Sequence, residues 1–253
     1  MRKLIYISVF MIACIMLACN GNDTQTDESD YDSSAFHIAI LPVEECHAFM
    51  YADSCGLYDS LGVRVKLHLY ESEMDADTAF TKGWSQMEIV DSVRMAFLLS
   101  ECDSDSIISV LNDKMVLSLV MSRKARVRNI NSLSEKIVAL TRNSSLDDFA
   151  DKITEKAHLR HDELNRPQIN NIRMRAGMLI QGQYDGAILP EPWATMCVDS
   201  GANRVTTTDL ICPQMFHAIV NDSINKVRKD DIKKIVQAYN IAKLRIGNRT
   251  RQQ

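Results

Sequence analysis

The chain has 253 residues, 46% hydrophobic, 25% charged and 6% aromatic, with 9 Gly and 5 Pro, a globular composition that excludes disordered, collagen-like and repeat-array proteins. Its formal net charge of -4 gives no basic field for a nucleic acid, so no nucleic-acid partner is expected.

Arg2 and Lys3 precede an apolar stretch from Leu4 to Ala18 that matches the n-region and h-region of a secretory signal and is too short to span a bilayer. Met16, Leu17, Ala18 and Cys19 resemble a bacterial lipobox, which assigns residues 1–18 to a lipoprotein signal peptide and makes Cys19 the lipidated mature N-terminus. Residues 19–35 then read as an acidic flexible tether, rich in Asn, Asp, Thr, Gln, Glu and Ser. Loss of Arg2 and Lys3 leaves 27 basic against 33 acidic residues, a mature charge of -6. The implied location is the cell envelope, lipid-anchored to a bacterial membrane on its periplasmic or surface face. Beyond the signal and Cys19, five cysteines remain: Cys46, Cys55, Cys102, Cys197 and Cys212. An odd number leaves at least one free thiol, and Cys46 and Cys55 fall on opposite sides of one predicted helix, where they cannot pair. Cys197 with Cys212 is conceivable, but buried thiols acting as small hydrophobes need no pairing.

Phe36 to Leu41 is a short apolar run ended by Pro42, and from Glu44 a helical pattern places Ala48, Phe49, Ala52 and Cys55 on one face before Gly56 stops it. Gly62 opens an alternating strand through Val63, Val65, Leu67 and Leu69. A helix from about Asp75 to Gly83 and a strand from Met87 to Val90 complete a β-α-β-α-β half. Lys114 to Ser122 alternates as one long strand. Lys136 to Leu140 is a strand, Asn143, Ser144 and Ser145 a polar loop, and Phe149, Ile153 and Ala157 mark the next helix. Ile169 to Ile172 predicts a strand, Met174 to Gln181 a helix closed by Gly182, and Tyr184 to Leu189 a strand running into Pro190. Met215 to Val220 is a further strand, and Asp230 to Ile246 a helix with Ile232, Ile235, Val236, Tyr239 and Ala242 on one stripe, expected to pack on the first half.

Alternating strands and helices argue for mainly parallel sheets with helices on both faces, and two such halves argue for two lobes with a cleft between them. Ligands of open α/β sheets bind beyond the carboxyl ends of strands, here the loops after Leu41, Val90, Leu140 and Leu189. The candidate ligand-binding residues on those loops are Pro42, Glu44, Asp91, Ser92, Asn143, Ser144, Ser145, Glu191 and Trp193. Each also has a local role. Ser145 with Asp148 fits a capping box, Asp91 and Ser92 suit a helix start, Glu44 and Glu45 complement a helix dipole, and Trp193 suits a core. Functionally, amides at the Ser145 helix start can donate to a ligand, while Glu191 and Trp193 can hold a cationic or ring-bearing solute. The acids at these loops favour a neutral or cationic heterocycle over nitrate or sulfonate.

His158 and His161 beside Asp162 and Glu163 read as a solvated helix end, so no metal is expected. Nucleophile-elbow, P-loop and zincin signatures are missing, so no catalytic residue, cofactor or enzymatic activity is assigned.

The stretch Gly182-Gln183-Tyr184-Asp185-Gly186-Ala187-Ile188-Leu189-Pro190-Glu191-Pro192-Trp193-Ala194 resembles the type 2 periplasmic solute-binding proteins of ABC importers, in the branch for nitrate, sulfonate, taurine and thiamine precursors. Ser132 to Val138 resembles that family's entry to the second lobe, Asn143-Ser144-Ser145 occupies its ligand-facing loop, and Met87 stands where its pattern usually has Asp. The resemblance spans most of residues 36–246. It implies an α/β, two-lobed, type II periplasmic-binding-protein-like fold with a two-crossing hinge, one lobe from 36–118 plus 216–253 and the other from 119–215. It also implies capture of a small-molecule solute by hinge closure, an ABC transporter permease as partner, membrane attachment through the N-terminal lipid, and a monomer. Two alternatives remain open: an enzyme on the same fold, related to thiamine-pyrimidine or menaquinone-precursor biosynthesis, and a sensing or interaction lipoprotein with no transport role.

Overall fold

Phe36–Ile40 (β1) is a five-residue apolar strand buried along its whole length, because it pairs in parallel on both sides, with Val65–Leu69 (β2) and Met87–Asp91 (β3). The structure is a computed structural model that describes residues 32–101 and 107–250. The predicted signal peptide, the Cys19 lipidation site, most of the tether and Cys102 lie outside the described residues.

Helices Glu44–Ser54 (α1), Leu57–Ser60 (α2), Glu73–Thr81 (α3) and Ser92–Glu101 (α4) connect these strands. Ile107–Met115 (β4) then lies at one edge and Gln214–Asn221 (β10) enters antiparallel between β3 and β4, giving the order β2-β1-β3-β10-β4. The second sheet repeats the plan. Leu164–Asn165 (β7), Lys136–Ala139 (β6) and Gly186–Pro190 (β8) are parallel, Leu117–Met121 (β5) is antiparallel beside β8, and Asn203–Thr207 (β9) closes the edge, in the order β7-β6-β8-β5-β9. Ser145–Lys156 (α5), Ile172–Gln181 (α6), Trp193–Asp199 (α7) and Thr208–Ile211 (α8) accompany it. In each sheet the antiparallel strand borders a segment in which the chain changes lobe. Val116 alone separates β4 from β5, and Cys212 and Pro213 separate α8 from β10. The Leu117 amide donates to Thr208 Oγ1 at 3.0 Å, which ties the two crossings together.

Caps fix where the helices start and stop. Ser72 Oγ accepts from the Asp75 amide and Asn171 Oδ1 from the Met174 amide, at the starts of α3 and α6. Gly182, at φ +70°, ends α6 in the left-handed region that a side chain resists. Gly186 opens β8 where the sheet admits no side chain, since a Cβ there would run into Met121 Sδ.

Asp222–Val227 (α9) leads into Lys229–Thr250 (α10), longer than the predicted helix. Ile232, Ile235, Tyr239 and Ala242 are buried as expected while Val236 is half-buried. The helix packs on α1 of the first lobe, with the Tyr239 ring 4.9 Å from that of Phe49.

Three expectations need correcting. Lys114 to Ser122 is two strands broken at Val116, because the chain passes there from one sheet to the other. Ile169 to Ile172 is not a strand: Asn171 caps α6, so Ile172 is that helix's first residue and its side chain is buried. The short strand of this region lies earlier, at Leu164–Asn165, before Pro167. Cys55 follows the last residue of α1 and is exposed, whereas Cys46 is buried. Cys197 and Cys212 are free thiols, as are Cys46 and Cys55.

Candidate functional site

The carboxyl ends of β1, β3, β6 and β8 all point toward the space between the lobes, so the four loops that follow meet there. Between them lies a cavity of about 40 Å³ for the centres of water-sized atoms, lined by apolar groups such as Leu146, Ile172, Pro190 and Phe216 and by the charged Glu45, Glu73, Glu88, Asp91 and Arg94.

Asp91 ends β3 and is 7% exposed. Its Oδ1 accepts from the Arg94 amide at 2.8 Å, which caps α4, and from both the amide and hydroxyl of Ser145 across the cleft at 2.9 and 2.8 Å. Burial raises its pKa, and these bonds oppose the rise. The expected capping role of Ser145 is thereby corrected. Ser144 is the N-cap, with Oγ accepting from the Leu146 amide at 3.2 Å and donating to the Thr141 carbonyl at 2.8 Å, because the Ser145 hydroxyl is engaged by Asp91.

Two further points join the lobes. Trp193, buried at the start of α7, donates Nε1–H to the Pro42 carbonyl at 2.7 Å, and the Glu44 amide donates to the Glu191 carbonyl at 2.8 Å. On the far side, the Ile172 amide donates to the Glu71 carbonyl at 3.0 Å.

The remaining sequence candidates face elsewhere. The Glu44 side chain is exposed outside the cavity, on a surface recess shared with His47 and Lys243. Ser92 Oγ donates to the Met215 carbonyl at 3.1 Å and lies 3.0 Å from His217 Nε2, both on β10. Asn143 is exposed at φ +54°, a turn residue in the left-handed conformation that Asn tolerates. Glu191 is paired with Arg204 at 2.6 Å and accepts from the Thr195 amide at 3.0 Å. Structure therefore brings Pro42, Asp91, Ser145 and Trp193 together at the closure and turns the side chains of Glu44, Ser92, Asn143 and Glu191 away.

Three acids that sequence reasoning left out of the site line the cavity instead. Glu45, on the inner side of α1, accepts from the Val116 backbone at the lobe crossing, and burial raises its pKa to about 7. Glu73, the first residue of α3, is likewise pushed to about 7, by burial first and by Asp91 second. Glu88 lies mid-strand in β3, 1% exposed, and burial with the neighbouring Asp77 carboxylate holds its pKa well above the usual range. Asp77 in turn pairs with Arg94. A glutamate inside a strand otherwise made of Met87, Ile89 and Val90 was the available signal, since a buried acid is uncommon without a purpose.

No family model and no curated protein matches the chain. Solved structures do. The zinc-bound ligand-binding component of an ABC-type import system from Staphylococcus aureus aligns at a TM-score of 0.69 and 12% identity, covering 83% of this chain and 73% of that one. The periplasmic aliphatic sulphonate-binding protein of Escherichia coli aligns at 0.68 and 11%, covering 87% and 71%. The fold is that of the periplasmic binding proteins. An enzyme, the desulfurization enzyme DSZB, shares it at 0.64 and 13%, covering 87% of this chain and 78% of that one. At such identities the likeness carries architecture alone, and chemistry must come from the cleft.

Proposed function

We propose that the chain is the solute-binding component of an ABC importer. It would be a lipid-anchored envelope monomer, acylated at Cys19, that captures a small organic solute between its two lobes. It closes about the crossings at Val116 and Cys212–Pro213 and presents the closed form to a permease. The observation that carries this reading is the set of direct bonds across the cleft, Ser145 to Asp91 and Trp193 to Pro42, which latch two lobes joined only by short crossings. Such contacts exist only in a closed state, so a ligand that favours closure shifts its population. Import components among the structural neighbours support the same reading.

The enzymatic alternative on this fold has less support. Burial pushes the Cys46, Cys197 and Cys212 thiols up, Cys197 to about 11, which leaves them poor nucleophiles.

Trp84 and Trp193 are the chain's two tryptophans, and Trp84 is exposed on another surface. A Trp84→Phe variant therefore makes Trp193 fluorescence a reporter of closure. Addition of a metabolite extract filtered below 1 kDa is expected to shield Trp193 from acrylamide quenching, saturably. Unchanged quenching across fractionated extracts would overturn solute capture. Cys19→Ala is expected to move the chain from the membrane fraction to the soluble fraction, and persistence in the membrane would overturn the anchor.

A further inference from the structure

Glu45 from α1, Glu73 from α3 and Glu88 and Asp91 from β3 all line the cavity, and Arg94 is the one cation among its described lining residues. Arg94 is engaged at its two terminal nitrogens, while its Nε is buried without a hydrogen-bond partner. Its Nη2 pairs with Asp77 and its Nη1 donates to the Arg142 carbonyl at 3.5 Å. Arg175 acts on Glu73 but does not line the cavity; its Nη1 is held by Thr141 Oγ1 at 2.8 Å and the Ile169 carbonyl at 2.6 Å, and its Nε and Nη2 are buried without a partner. The cavity wall thus carries four carboxyl groups against a guanidinium already neutralised by a fifth. One oxygen each of Glu73 and Glu88, Oε2 in both, is buried without a hydrogen-bond partner. A buried acceptor left unpaired is costly, and these two line the same cavity.

We propose that the cleft takes a small organic cation, an ammonium or amidinium head group whose N–H donors reach Glu73 and Glu88. The proposal rests on the solute-capture reading above and names the class of solute. As pH is raised through about 7, an oxyanion would meet the ionising Glu45 and Glu73 in a site of low dielectric, where like charges repel most strongly. A metal ion fits less well, since no group of three or more His, Cys, Asp or Glu among the described residues is placed to hold one. The small cavity admits a few non-hydrogen atoms, which suits a head group with its apolar remainder against Leu146, Ile172 and Phe216. Because burial favours the protonated carboxyls, arrival of a cation releases protons, and affinity rises as pH is raised through about 7.

The test uses the full chain with Trp84→Phe and defined probes: methylammonium, acetamidinium and 1,4-diaminobutane against nitrate, methanesulfonate and methylphosphonate. The expected result is saturable protection of Trp193 by at least one cation, at least threefold tighter at pH 8 than at pH 6. Glu88→Gln is expected to weaken that binding tenfold or more, and Glu73→Gln supplies the same measurement should Glu88→Gln fail to fold. Closure by an anion with none by the cations would overturn the charge class and leave solute capture standing. Closure by fractionated extract but by neither probe set would likewise overturn the cation assignment alone, whereas silence from probes and extract together would overturn both.

Discussion

The first-lobe wall of the cavity carries Glu45, Glu73, Glu88, Asp91 and Arg94, whereas the second-lobe wall offers Leu146, Ile172 and Pro190, with the uncharged donors of Ser145 and Trp193 at its margin. Charge is concentrated on the wall built from β3 and the helices on either side of it. The opposite wall supplies apolar cover and hydrogen-bond donors. Such a division has a physical merit: the charges that line the cavity sit on one wall, and closure gives two of them partners in the other lobe, Asp91 at Ser145 and Arg94 at the Arg142 carbonyl.

Asp91 is therefore where the two walls are most strongly coupled. Asp91→Ala removes the acceptor for the Arg94 amide and for both Ser145 donors, and is expected to lower unfolding stability by about 2–4 kcal/mol in urea titrations. It should also leave Trp193 more open to quenching. A loss below about 0.5 kcal/mol, with quenching unchanged, would mean that the walls meet without depending on this carboxylate.

Much of this coupling was hidden in sequence although its location was not. Apolar runs and breakers located seven of the ten strands of the two sheets, and the rule that ligands bind beyond the carboxyl ends of strands named the four loops that meet at the cleft. What a loop position does not fix is which side chain turns inward, because neighbouring residues at a helix start differ by about 100° around its axis. Loop position favours Glu44, yet Glu45 lines the cavity. Asp91 and Ser92 stand at the same strand end, and only Asp91 faces it. Glu191 looked free between two prolines, but Arg204 arrives from β9, a strand that the hydrophobic pattern did not reveal. Glu73 and Glu88 were legible only as anomalies, since their role depends on a second sheet folding over them.

The acidity of one wall also has a signature in pH. Glu45 and Glu73 have folded-state pKa values near 7 against an ordinary 4.5, so the folded chain binds protons more tightly than the unfolded one. Their contribution to stability is fully present below about pH 4.5 and is lost as pH rises through 7. Urea unfolding of the solute-free chain should accordingly show stability falling between pH 5 and pH 8. The Glu45→Gln, Glu73→Gln double variant should flatten that slope, while changes confined to the second-lobe wall should not. An unchanged slope in the double variant would assign the acid-sensitive groups elsewhere.

Ser92 provides the finest division of the wall, since it follows Asp91 directly yet faces the opposite way. Its hydroxyl serves β10, through the Met215 carbonyl and His217, and joins α4 to β10 within a single lobe. Ser92→Ala should therefore cost about 0.5–1 kcal/mol, the net worth of one such hydrogen bond, and leave solute-induced protection of Trp193 unaltered. If closure weakens while stability holds, the α4–β10 contact is transmitting strain to the Asp91 latch, and the boundary of the site must be drawn one strand further into the first sheet.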